Sequence, residues 1–223
     1  MVSGFPQERI SAFAPGEVAQ IAIAWIVLSL ALSVTDIEGL FTGTGSVDDI
    51  AAAFIAVATG FVLHEMGHKF VAMGRGYVAH FRIWAWGIAL ALITAIVSQG
   101  QFLFGAPGAV YIAPAAGAVS FGAYAVGSRR NAVRDNTLIS AAGPGTNLAF
   151  MLFFLLLIFI LPTSGFWSTV ANYGFTLNLG LGSFNMLPIP PMDGYKIFKG
   201  SIPLGLLIAV PLWAFFAYLV LIP

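Results

Sequence analysis

Residues 50–63 run fourteen positions without one charged side chain, and the run closes on Val62-Leu63-His64-Glu65-Met66-Gly67-His68-Lys69. A segment this apolar needs either a protein core or lipid around it. It is not alone. Apolar runs recur at 18–34, 84–98, 101–126, 137–161, 167–187 and 202–222. Charged residues make up 8% of the chain and hydrophobic ones 59%, whereas soluble domains carry about a quarter charged residues. A soluble protein this short of charge could not cover its surface. The expected fold class is therefore an all-α polytopic membrane protein of about six transmembrane helices.

Other function classes fall away early. The net charge is zero, which gives no bulk attraction to nucleic acid. There is no cysteine, so disulfides, thiolate ligands and a cysteine nucleophile are excluded together. The first seventeen residues lack the basic-then-apolar order of a cleaved signal peptide. No repeat or linker divides the chain, and one membrane-embedded domain over 1–223 is expected.

Basic residues set the orientation. Lys69, Arg75 and Arg82 follow the second apolar run; Arg129, Arg130 and Arg134 precede the run at 137–161; Lys196 and Lys199 precede the last. The loop after the first run carries Asp36, Glu38, Asp48 and Asp49 and no base. This places the two histidines and residues 188–199 near the cytoplasmic face of a multi-pass cell-membrane protein. It also requires residues 84–126 to leave that face and return. They do so either as two short helices or as a re-entrant, β-like insert. The segment Phe104-Gly105-Ala106-Pro107-Gly108-Ala109-Val110-Tyr111-Ile112 carries turn and strand signals. Irregular backbone at that depth must be buried in protein or line a wet cavity, and such a strand could hold an extended peptide by strand addition.

His64 and His68 are four residues apart, so on a helix they lie one turn above each other on one face. Two imidazoles so placed can reach one Zn²⁺, and the adjacent Glu65 can meet a water at the metal. Such a site needs a third protein ligand and an open position. His80 lies in what reads as an interfacial strand. Asp36, Asp48 and Asp49 fall on the opposite side of the membrane, and Asp135 sits in an arginine-rich loop. Asp193 remains, in Asn185-Met186-Leu187-Pro188-Ile189-Pro190-Pro191-Met192-Asp193-Gly194. Three prolines hold that backbone extended, so the carboxylate either ligates a metal or caps the turn over 194–200.

These motifs together resemble the site-2 protease family of intramembrane zinc metalloproteases. His64-Glu65-Met66-Gly67-His68 matches its first motif. Asn185, Pro188, Pro190, Asp193 and Gly194 match its Asn-x-x-Pro-x-Pro-x-x-Asp-Gly motif, with methionine at 192 where leucine is commoner. Ala142-Gly143-Pro144-Gly145-Thr146-Asn147 resembles the element on the helix between them. The resemblance covers a catalytic core at 50–73 and 137–199, with the insert at 84–126 and peripheral helices at 18–34 and 202–222. It implies one Zn²⁺ per chain held by His64, His68 and Asp193. It implies Glu65 as catalytic base, and cleavage of another protein's transmembrane segment near the cytoplasmic face. Asn147 and Asn185 are amide donors placed either to hold an oxyanion or substrate backbone, or to join helices. Many relatives carry PDZ or CBS domains, for which this length leaves no room. The rival class is a metal-ion transporter using the same ligands, although no repeat of the kind transporters show is present. A serine protease built on Ser183 lacks a histidine on a later run, and an aspartyl protease lacks a partner for Asp193.

Overall fold

The computed structural model describes residues 12–99, 107–114 and 127–221. Helix α1 (Glu17–Leu32) leads into α2 (Val34–Thr42), and α3 (Val47–Val57) continues through a π-helical turn (Ala58–Val62) into α4 (Leu63–Gly74). Strand β1 (Tyr77–Ile83), α5 (Ala85–Val97) and β2 (Gly108–Pro114) follow, then α6 (Gly127–Ile160), α7 (Phe166–Asn185), α8 (Asp193–Gly200) and α9 (Ile202–Leu221).

Local chemistry explains several boundaries. Ser46 Oγ accepts from Asp49 N–H at 3.1 Å, capping α3, and Asp48 and Asp49 complement its dipole. Ser29 and Ser33 each donate to a carbonyl four residues back, Trp25 and Ser29. Such back-bonding bends helices, and the chain turns by 58° between α1 and α2.

Three helices are long and apolar enough to cross a membrane: Val47–Gly74, Ala132–Ile160 and Ile202–Leu219. Counting the bent α1–α2 pair as one span makes four among the described residues. The expectation of about six is thus corrected, for two physical reasons. Helix α5 has 13 residues, about 20 Å at the α-helical rise, short of the roughly 30 Å hydrocarbon layer. Helix α7 has the length, with 20 residues, but its sequence is interrupted by Asn172, Asn178, Ser183 and Asn185. Residues 101–106 and 115–126 of the remaining expected run lie outside the described residues.

Within the insert the structure gives both expected forms: 85–97 is helical, and the strand reading holds at 108–114. β1 and β2 pair antiparallel, with His80 opposite Tyr111 and Phe81 opposite Val110. Two large apolar clusters, and a smaller one around Ala72, Ala79 and Ile139, flank this sheet and α4. One joins α6 to α9 through Met151, Phe154, Leu179, Met186, Ile197 and Leu212. The other packs α1, the π turn, β1 and α5 around Leu28, Val57, Phe61, Phe81 and Ala91. Large apolar side chains also face outward, Phe159 at 79% exposure among them, as lipid contact permits and water does not.

Candidate metal centre

The helix that carries His64 and His68 enters the site through a π-helical turn, a feature that often marks functional positions. Its register turns both rings inward, and both are buried. Each ring is fixed by its Nδ1. His68 Nδ1 lies 2.7 Å from the Ile139 carbonyl, which can only accept, so Nδ1 is the protonated nitrogen. His64 Nδ1 lies 2.6 Å from Asn147 Oδ1. The Asn147 orientation follows from its other contacts, because Nδ2 donates to the Gly60 carbonyl at 2.7 Å and to Asn178 Oδ1 at 3.1 Å. His64 is therefore also protonated on Nδ1. Both Nε2 atoms keep their lone pairs, and these face each other at 3.1 Å.

Asp193 completes the group. It opens α8 directly after the proline segment, and Met192, not Asp193, holds the capping position with no side-chain cap. Its Oδ2 stands 3.1 Å from His68 Nε2 and 3.6 Å from His64 Nε2. Its Oδ1 stands 3.3 Å from Lys196 Nζ.

The donor set fits zinc. Ligand atoms about 2.0–2.1 Å from a tetrahedral Zn²⁺ lie about 3.4 Å apart, and the three separations here are 3.1, 3.1 and 3.6 Å. Three lone-pair donors at that spacing repel one another unless a proton or a cation joins them. Among the described residues no other group of histidines and acids converges in this way. Gly143 on α6 is required by the same crowding. A Cβ there would lie 2.6 Å from His64 Nε2 and collide with His68 Nε2. Gly67 likewise lets α4 approach α6, where a Cβ would lie 2.9 Å from Thr146 Oγ1. Gly194 brings α8 so near the end of α7 that a Cβ would strike the Met186 carbonyl.

Glu65 follows His64 on α4, is 9% exposed, and stands beside the backbone of Val110 on β2. The two asparagines part company. Both amide hydrogens of Asn147 are committed, which leaves neither for an oxyanion. Asn185 Nδ2 donates to the Leu181 carbonyl of its own helix at 2.9 Å, and a second amide hydrogen remains. His80 stands 3.4 Å from Glu17 Oε2, and no metal-ligand group includes it. Asp135 lies on α6, not in a loop, where it pairs with Arg75 and accepts from Tyr77 Oη at 3.2 Å. Ser183 Oγ is buried with no hydrogen-bond partner among the described residues, and no base there stands ready to activate it.

Sequence reasoning did not find Lys196, Asn178, the Ile139 carbonyl or the Val110 amide. Only Lys196 left a signal, three residues after Asp193 on a helix. Backbone partners leave none.

The chain is 35% identical over 196 residues to a Methanocaldococcus jannaschii protein named "Putative zinc metalloprotease MJ0611", covering 86% of this chain and 93% of the relative. It is 42% identical over 77 residues to "Putative zinc metalloprotease YwhC" of Bacillus subtilis, covering 30% of this chain and 35% of that one. No family model and no solved structure matches the chain.

Proposed function

The chain belongs to the zinc metalloprotease family, and from that premise we propose that it is an intramembrane endopeptidase of the site-2 protease type. It hydrolyses peptide bonds in or near transmembrane segments of other membrane proteins. The observation that carries this reading is the convergence of His64 Nε2, His68 Nε2 and Asp193 Oδ2 inside a bundle of apolar helices. The resemblance of the three motifs to that protease type, and the basic residues flanking the spans, support a multi-pass protein with its site toward the cytoplasm.

His64, His68 and Asp193 would hold one Zn²⁺, and the fourth position stays open for water or substrate. Zinc bound there supplies Lewis acidity, which makes water a usable nucleophile near neutral pH and polarises a peptide carbonyl. Glu65 takes the proton from the attacking water and returns it to the departing amine nitrogen. Asn147 orients His64 by accepting from its Nδ1–H, and the Ile139 carbonyl does the same for His68, which keeps each Nε2 free. Lys196 steadies Asp193 through the carboxylate oxygen not turned to the rings. Asn185, with an uncommitted amide hydrogen, is the donor left for substrate backbone or an oxyanion.

A transmembrane helix must unwind before its peptide bond can be reached. The outer edge of β2 runs beside Glu65 and, among the described residues, has no strand paired with it, so it offers an extended segment hydrogen-bonding groups at the site. The test is reconstitution in liposomes with a transmembrane peptide. Wild type should cleave it, a zinc chelator should stop cleavage, and added zinc should restore it. Cleavage that survives complete zinc removal rules the reading out.

A further inference from the structure

The two-stranded sheet has two edges, and the chain treats them differently. Antiparallel pairing alternates inward and outward backbone groups. On β1 the outward groups belong to Ala79, Phe81 and Ile83, and one backbone group of each residue is met by a side chain. Glu17 Oε1 accepts from Phe81 N–H at 2.8 Å, and Gln20 Oε1 accepts from Ile83 N–H at 3.0 Å. Lys69 Nζ donates to the Ala79 carbonyl. Glu17 and Gln20 are three apart on α1, so one face of that helix supplies both acceptors. Lys69 comes from α4, directly after His68, and also meets Glu17 Oε1 at 2.7 Å. The pair is shut away from solvent, with Lys69 at 0% and Glu17 at 1% exposure. The second Glu17 oxygen accepts from Ala14 N–H at 2.8 Å.

By the same alternation the outward groups of β2 belong to Gly108, Val110 and Ile112, opposite Ile83, Phe81 and Ala79. Among the described residues no strand pairs with that edge. Three side chains thus tie down one edge, and the other, beside Glu65, has no such partner strand among the described residues. An open edge is a template for any extended chain.

We propose that Glu17, Gln20 and Lys69 are positioning residues that lock the outer edge of β1 against α1 and α4. They thereby leave an extended substrate one edge to join, and they hold that edge at a fixed distance from the ligands on α4. The lock rests on the endopeptidase reading for its purpose, not for its geometry. Lys69 makes it sensitive, because a buried lysine or glutamate whose partner is removed does not stay in place.

The chain has no cysteine, so spin labels can be placed by two substitutions, Phe70→Cys on α4 and Tyr111→Cys on β2, both at exposed positions. The doubly labelled full chain in nanodiscs should give one narrow distance distribution. Adding Glu17→Gln with Lys69→Met removes both charges and keeps an acceptor for Phe81 N–H. The distribution should then broaden while zinc content stays unchanged. For a transmembrane peptide, KM should rise about tenfold with kcat within about twofold, as expected for lost substrate binding. A distribution as narrow as before overturns the proposal. Should that variant lose zinc, Gln20→Leu decides, since it removes one edge hydrogen bond and no charge. Broadening supports the lock and an unchanged width overturns it. The distance is read without turnover, so a protein that cleaves nothing yet shows the broadening contradicts the endopeptidase reading and supports the lock.

Discussion

Two buried polar clusters sit on successive residues of α4, and they are finished to different degrees. Around Lys69 every group is matched: the ammonium has a carboxylate and a carbonyl, and the carboxylate has two backbone amides besides. Around His64 and His68 the outer nitrogens are matched and the inner ones are not. Two Nε2 lone pairs and a carboxylate oxygen crowd within 3.1–3.6 Å of one another with no donor among them. Saturation of a buried cluster holds helices and strands in place. Leftover lone pairs that converge are unstable without a cation, and that instability is what a metal site consists of. Adjacent positions on one helix thus divide architecture from chemistry.

The comparison can be broken most severely at Glu65. Glu65→Gln keeps the three donors and removes the proton acceptor, so cleavage should fall about a thousandfold, within the range for general-base loss, while bound zinc stays the same. Loss of zinc in that variant would blur the line between ligand and base. The opposite pattern is expected at Lys69. Lys69→Ala strands a buried carboxylate, which costs about 3 kcal/mol or more. A thermal or denaturant midpoint should therefore drop sharply, with zinc affinity per folded molecule little changed. Asn147→Leu acts on the metal site without removing a ligand. It frees the His64 ring to rotate, so zinc affinity measured by competition with a chelator should weaken about 10–100-fold. Lys196→Met should be mildest. The lysine is 43% exposed at its side chain, and solvent-screened pairs contribute little, so a change below about threefold is expected in turnover and zinc affinity.

Much of the site was legible because its chemistry is local. Four-residue spacing put His64 and His68 on one helical face, and the prolines at 188, 190 and 191 held the backbone before Asp193 extended, which left its carboxylate as either a ligand or a turn cap. The strand in the insert was legible through its glycine, proline and valine pattern, and membrane parity required the chain to turn back there. The span count was less legible. The run at 167–187 reads as one more span, yet within α7 Asn178 is buried at 0% exposure and accepts from Asn147 of α6. Glu17 was not legible as a partner of Lys69, because the two are separated by 52 positions and only the packed sheet brings them together. Asn147 read equally as an oxyanion donor or a helix joint; the structure turns it toward His64.

The central claim is that Asp193 joins the two imidazoles around one ion, and metal content tests it most directly. Purified wild type should carry about one zinc per chain, in keeping with a three-ligand site, and X-ray absorption should show two nitrogen ligands and a carboxylate oxygen. Asp193→Ala, folded to the same degree, should lose that zinc under mild chelation that leaves wild type loaded. Equal retention by both proteins would contradict the account.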